Sequence, residues 1–129
     1  MPEERRKTMK TTLTIEQSAE LIKRGVSAER ATIVPLCATS QDEPRWSEPI
    51  FTLADLLSLL PKEIHKDDTL YTYNLQIAWD DKRRKWSAMY IVWYDAMRCY
   101  VPYKSESTDL CDSFYGLIML LLDNHVKLD

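Results

Sequence analysis

Tyr71-Thr72-Tyr73-Asn74-Leu75-Gln76-Ile77-Ala78-Trp79 alternates apolar and mostly polar side chains without a break. A period of two marks a strand with one buried face. The wholly charged link Asp80-Asp81-Lys82-Arg83-Arg84-Lys85 follows and must be solvated, and then comes a second arm, Trp86 to Tyr94. The three pieces read as one β-hairpin, which holds more than half of the chain's aromatic side chains.

The second arm differs from the first. Trp86, Ala88, Tyr90, Val92 and Tyr94 share one face, and Ser87, Met89, Ile91 and Trp93 share the other. Both faces are apolar, which predicts a central strand. Two registers fit. If Trp79 opposes Trp86, the core face joins Tyr71 to Tyr94, Tyr73 to Val92 and Leu75 to Tyr90, and Met89, Ile91 and Trp93 point away beside Asn74 and Gln76. A slip by one residue exchanges the faces. A third strand is predicted near Arg98-Cys99-Tyr100-Val101, ending before Pro102.

Helices flank the hairpin. Thr14 is a helix N-cap, and Ile15, Ala19, Leu21 and Ile22 recur at helical spacing up to Gly25. A short helical turn begins at Ser27. Thr52 caps a helix that ends at Pro61, with Asp55 at its third position and leucines at 53, 56, 57 and 60 as a core stripe. The last helix starts near Thr108-Asp109 and presents Leu110, Phe114, Leu117, Ile118 and Leu121 on one side. Pro35 to Pro49 reads as a loop with three prolines, and Lys62 to Asp68 as a charged link.

Helices, then strands, then a helix predict an α+β fold. The expectation is a small antiparallel three-stranded meander, about 70–79, 86–94 and 98–101, packed with N-terminal helices and a C-terminal helix of about 109–124. Residues 1–8 show no periodicity and are read as a disordered N-terminal extension, with 9–129 as a single domain.

Composition narrows the function classes. The chain has 129 residues, 45% hydrophobic and 29% charged, the mix of a globular protein. Two glycines leave little for a phosphate-cradling loop. The longest apolar run, Leu117 to Leu122, is far short of the roughly 20 residues a membrane span needs. Cys37, Cys99 and Cys111 form no CxxC pair, which fits a reducing cytoplasm, with Cys37 and Cys99 as small core fillers. Net charge is −3. That mildly acidic balance argues against general nucleic-acid binding, which rests on phosphate neutralisation.

Three surfaces carry candidate function. The first is the sheet face of Met89, Ile91 and Trp93, together with Trp46 in the proline-rich loop. Exposed aromatic and Met clusters favour a protein partner, a second copy of the chain included. The competing reading of that face is that the N-terminal helices cover it, and of Trp46 that it tucks back on the core. The second is the basic turn Lys82, Arg83, Arg84 and Lys85 between Trp79 and Trp86, a nucleic-acid contact or simply a solvated tip that blocks edge association. The third is a cryptic enzyme site near His65 and Asp67. Two histidines, at 65 and 125, leave no nucleophile–base–orienter set and no zinc spacing, so no cofactor, metal or catalytic residue is assigned.

Three stretches carry a resemblance: Leu13-Thr14-Ile15-Glu16-Gln17 with Gly25-Val26-Ser27-Ala28, Phe51 to Pro61, and Phe114-Tyr115-Gly116-Leu117. Together they resemble small uncharacterised open reading frames of gut Bacteroidetes, often near prophage or other mobile elements. The resemblance spans most of the chain from Met9 onward and implies no activity, ligand or site residue. The sequence-level expectation is therefore a small cytoplasmic, non-enzymatic interaction protein.

Overall fold

The computed structural model describes residues 10–36, 46–65 and 71–129, and for 33–36 and 46–47 the backbone alone. Helix α1 (Ile15–Lys23) is followed by a 3-10 turn (Ala28–Arg30), β1 (Thr32–Leu36), β2 (Trp46–Ile50), α2 (Leu53–Leu59), β3 (Glu63–His65), β4 (Thr72–Asp80), β5 (Lys85–Trp93), β6 (Cys99–Ser107) and α3 (Leu110–Asp123). β1 and β2 pair as a two-stranded ribbon. β3 to β6 form an antiparallel sheet in chain order. The fold is α+β, and its main sheet has four strands where three were expected.

The helix starts lie where capping chemistry places them. The Gln17 amide donates to Thr14 Oγ1, and the Thr14 amide donates to Gln17 Oε1, each at 3.0 Å. Thr52 and Asp55 repeat the arrangement at α2, at 3.1 and 3.0 Å. Each such box satisfies amides that the first helical turn leaves free and is worth about 1 kcal/mol. Asp55 also accepts from the amide and hydroxyl of Thr32, which ties the start of β1 to α2.

Three segments depart from expectation. Ends of the proline-rich stretch pair as β1 and β2, with Leu36 opposite Trp46 and Thr32 opposite Ile50. Pairing across such a gap is a tertiary property that local composition does not report. The charged link supplies β3, a short edge strand with Ile64 as its inward anchor. β6 continues through Pro102 to Ser107, because a bulge opposite Ile91 lies at Pro102 on an edge strand, where a missing N–H breaks no ladder.

The hairpin takes the register with Trp79 opposite Trp86, Leu75 opposite Tyr90 and Asn74 opposite Ile91. Tyr73, Ala88, Tyr90, Val92 and Tyr103 then join one core with Leu21, Phe51 and Leu56 from the N-terminal half and Phe114, Leu117, Ile118 and Leu121 from α3. The N-terminal helices thus pack on the Tyr90 face, not over Met89 and Ile91 as the covering alternative required. α3 lies against both β5 and β6. Nine strand residues span about 30 Å, and the 14 residues of α3 span about 21 Å. The sheet therefore overhangs its helix, and the overhanging ends are where aromatic side chains meet solvent. No described helix is long and apolar enough to cross a membrane.

Candidate interaction surface

Among the described residues, exposed apolar side chains gather at the turn joining β5 to β6. The Tyr94 amide donates to the Arg98 carbonyl at 2.9 Å and closes this turn. Inside it, Asp95 Oδ1 accepts from the amides of Met97 and Arg98 at 2.8 and 3.0 Å, and Asp95 Oδ2 pairs with the Arg98 guanidinium at 2.7 Å. These bonds, the one from Met97 first, hold the Asp95 carboxyl below its ordinary range. An Asp that fastens the amides two and three residues on builds a turn without glycine. Its consequence is that Met97 is held outward, 88% exposed.

Rings gather behind that methionine. Tyr71 and Tyr94 meet edge to face at 5.0 Å, and Tyr73 and Tyr100 at 6.1 Å. Loss of solvent lifts the Tyr94 hydroxyl above the usual phenol range, and Tyr71, Tyr73 and Tyr100 add to the effect. On the opposite face of the sheet Trp93 is 54% exposed and sits across from Cys99, which is exposed as well. Asp95 and Arg98 cancel in charge. The surface thus offers aromatic and thioether contact rather than an electrostatic field.

The sequence-derived candidates divide around this cluster. Trp93 is exposed at the same end of the sheet, on its other face. Met89 and Ile91 lie on the Trp93 face but are only 9% and 5% exposed. In the register Gln76 and Lys104 stand on either side of Met89. Trp46 opens β2, and its side chain lies outside the described residues. Cys99 is exposed rather than a core filler, because it falls on the overhang. Cys37 lies outside the described residues, as do 1–9.

The basic turn is largely committed within the chain. Arg83 grips Glu106 with two hydrogen bonds of 2.8 Å, and Arg84 lies 5.8 Å above the Trp79 ring. The amides of Lys82 and Arg83 bond Asp80 Oδ1, and Arg84 adopts the left-handed conformation that completes the turn. Lys82 and Lys85 remain as the cations with no such bond among the described residues. His65 Nδ1 lies 3.3 Å from Thr72 Oγ1, and Asp67 lies outside the described residues. Among the described residues no three His, Cys, Asp or Glu side chains converge as a metal site would need.

An open hollow of about 330 Å³ lies between Val26, Leu59, Leu122 and Leu128. Two of its three lining cations are engaged, Arg24 with Asp123 and Arg30 with the carbonyls of Asp129 and Ser58, and Lys127 is the third.

Tyr71, Tyr94, Tyr100 and Met97 were not singled out by sequence reasoning. The available signal was Asp95 followed by Met97 and Arg98 between two aromatic runs, the pattern of an Asx-type turn. No family model, curated protein or solved structure matches the chain.

Proposed function

We propose that this protein is a small non-enzymatic interaction module that engages a protein partner through the aromatic end of its sheet. The observation that carries this reading is the turn built by Asp95, which presents Met97 at the end of the sheet where Trp93, Tyr94 and Tyr100 are also exposed. Rigid aromatic rings give large contact area at low entropic cost, and methionine adapts to the shape it meets. A surface rich in these residues suits a protein contact better than a phosphate chain.

The reading gains weight against its competitors from the committed state of Arg83 and Arg84, which leaves the basic turn poor in free cations for nucleic acid. An enzyme site near His65 gains nothing, since the hydrogen-bond partner of its imidazole among the described residues is the Thr72 hydroxyl.

The test compares two baits from the same source cells: the wild-type protein and a Trp93→Ser/Met97→Asp variant. Equal melting curves establish that both are folded. A partner retained by the wild type, lost by the variant and reconstituted from purified components supports the reading. Identical recovery by both baits overturns it.

A further inference from the structure

The outer edge of β6 carries a second surface, separate from the aromatic end. The Leu75 amide donates to the Lys62 carbonyl at 3.0 Å, so Leu75 aims its main chain at β3, and its opposite number Tyr90 aims at β6. The ladder alternates from there. Tyr103, Ser105 and Ser107, opposite Tyr90, Ala88 and Trp86, bond inward to β5. Lys104 and Glu106 therefore turn their N–H and C=O groups away from the sheet. The sheet order ends at β6, and among the described residues no other strand pairs with it.

The side chains of this edge are self-complementary. Pro102 has no N–H to donate, and the strand ends at Ser107. These limits leave a pairing window of Tyr103 to Ser107, with Ser105 at its centre. A second copy laid antiparallel about Ser105 puts Lys104 opposite Glu106 of the partner subunit, and Glu106 opposite Lys104 of the partner subunit. Both are the outward-facing residues, so the hydrogen-bonding positions and the charge pairs coincide. In one chain the two side chains already share a face, with Lys104 Nζ 3.3 Å from Glu106 Oε2, and the Glu106 carboxylate also binds Arg83 and Ser87, which fixes its position on the edge. Lysine and proline on an edge repel unrelated strands, but this order of charges accepts its own copy. The helices agree. α3 lies against both β5 and β6, so its two copies would stand roughly two strand spacings, ~10 Å, apart on one face. That is the separation at which helices pack.

We propose that the protein forms a two-fold dimer by antiparallel pairing of β6 edges over Tyr103 to Ser107, giving a continuous eight-stranded sheet. This proposal stands independently of the aromatic surface, which lies toward the other end of the strand.

Light scattering behind a sizing column, from low micromolar to near-millimolar protein, tests it. Four samples decide: wild type, Lys104→Glu, Glu106→Lys and the two variants mixed, each protein checked for an unchanged near-ultraviolet spectrum. The expected results are a doubled mass for the wild type, a single mass for each variant alone, and a doubled mass when the two variants are mixed. Mixing restores opposite charges at both positions. A wild type that stays monomeric, variants that dimerise alone, or a mixture that stays monomeric overturns the proposal. A Trp93→Ser/Met97→Asp protein keeps the dimer, so failure of the aromatic reading and failure of this one are read separately.

Discussion

Ser105 Oγ occupies the space where a side chain on Gly116 would begin, and this contact seats α3 on β6. The Ser105 Cβ would also stand only 3.3 Å from that side chain. Alanine in a helix interior is favoured over glycine by about 1 kcal/mol, while overpacking costs about 1–3 kcal/mol. The Oγ can turn away about χ1, but the Ser105 Cβ is fixed to the strand, and the steric term wins there. Gly116→Ala is expected to destabilise the protein by about 1 kcal/mol. In a Ser105→Gly background the same change is expected to be neutral or stabilising. Urea denaturation of the four proteins in this cycle measures both, and additive effects would show that the two residues are not in contact.

Tyr90 is the largest fully buried side chain among the described residues, and its hydroxyl donates to the Pro61 carbonyl at 2.6 Å. The bond joins the centre of β5 to the end of α2. Burial, then the charge of Asp129, pushes the hydroxyl far above the ordinary phenol range. Tyr90→Phe keeps the ring and leaves a buried carbonyl without its donor, at an expected cost of about 1–3 kcal/mol. An unchanged denaturation midpoint would show that water replaces the hydroxyl.

Much of this arrangement could be read from local pattern. Thr14 and Thr52 announced their helices because a cap is a contact between residues three apart. The Trp79–Trp86 register was one of two choices, and its rings now lie 5.2 Å apart. The alternation of β4 showed that a face existed but not which neighbours would hide it. What escaped depended on distant parts. β3 has too few residues for a period to show, and Ile64 is its single inward anchor. Pro102 looked like a strand end because the bulge that accommodates it exists only opposite Ile91. The burial of Met89 is set by the surroundings of a central strand, which the residues beside it in sequence do not report. The exposed aromatic end arises from a mismatch in length between β5 and α3, a quantity no single segment contains.

The thiols separate buried from exposed ends of the fold. Cys99 is exposed on β6, whereas Cys111 is buried in α3 and its thiol is pushed up to about 11 by burial, with the Asp109 charge adding to it. Thiolate is the reactive form. Brief alkylation at pH 8, followed by peptide mass spectrometry, is expected to modify Cys99 and spare Cys111 until denaturant is added. Equal labelling of the two in the native protein would show that the first turns of α3 are not packed.

Glu106 links stability to acid. Its carboxylate is held at about 2, first by the Arg83 hydrogen bonds and then by those of Ser87 and Lys104, against a partial loss of solvent that acts the other way. The unfolded chain takes up this proton near 4.5, before the folded one does. The contribution is therefore fully present above that value and is lost as pH falls toward about 2. Thermal melts from neutral pH downward, at protein concentrations low enough to keep the chain monomeric, check this. Glu106→Gln is expected to melt lower than wild type at neutral pH and to converge with it in strong acid. Asp55, Asp95 and Asp112 also have lowered carboxyls, so the difference between the two proteins isolates Glu106. A constant gap at every pH would mean that the Arg83 pair contributes nothing through its charge.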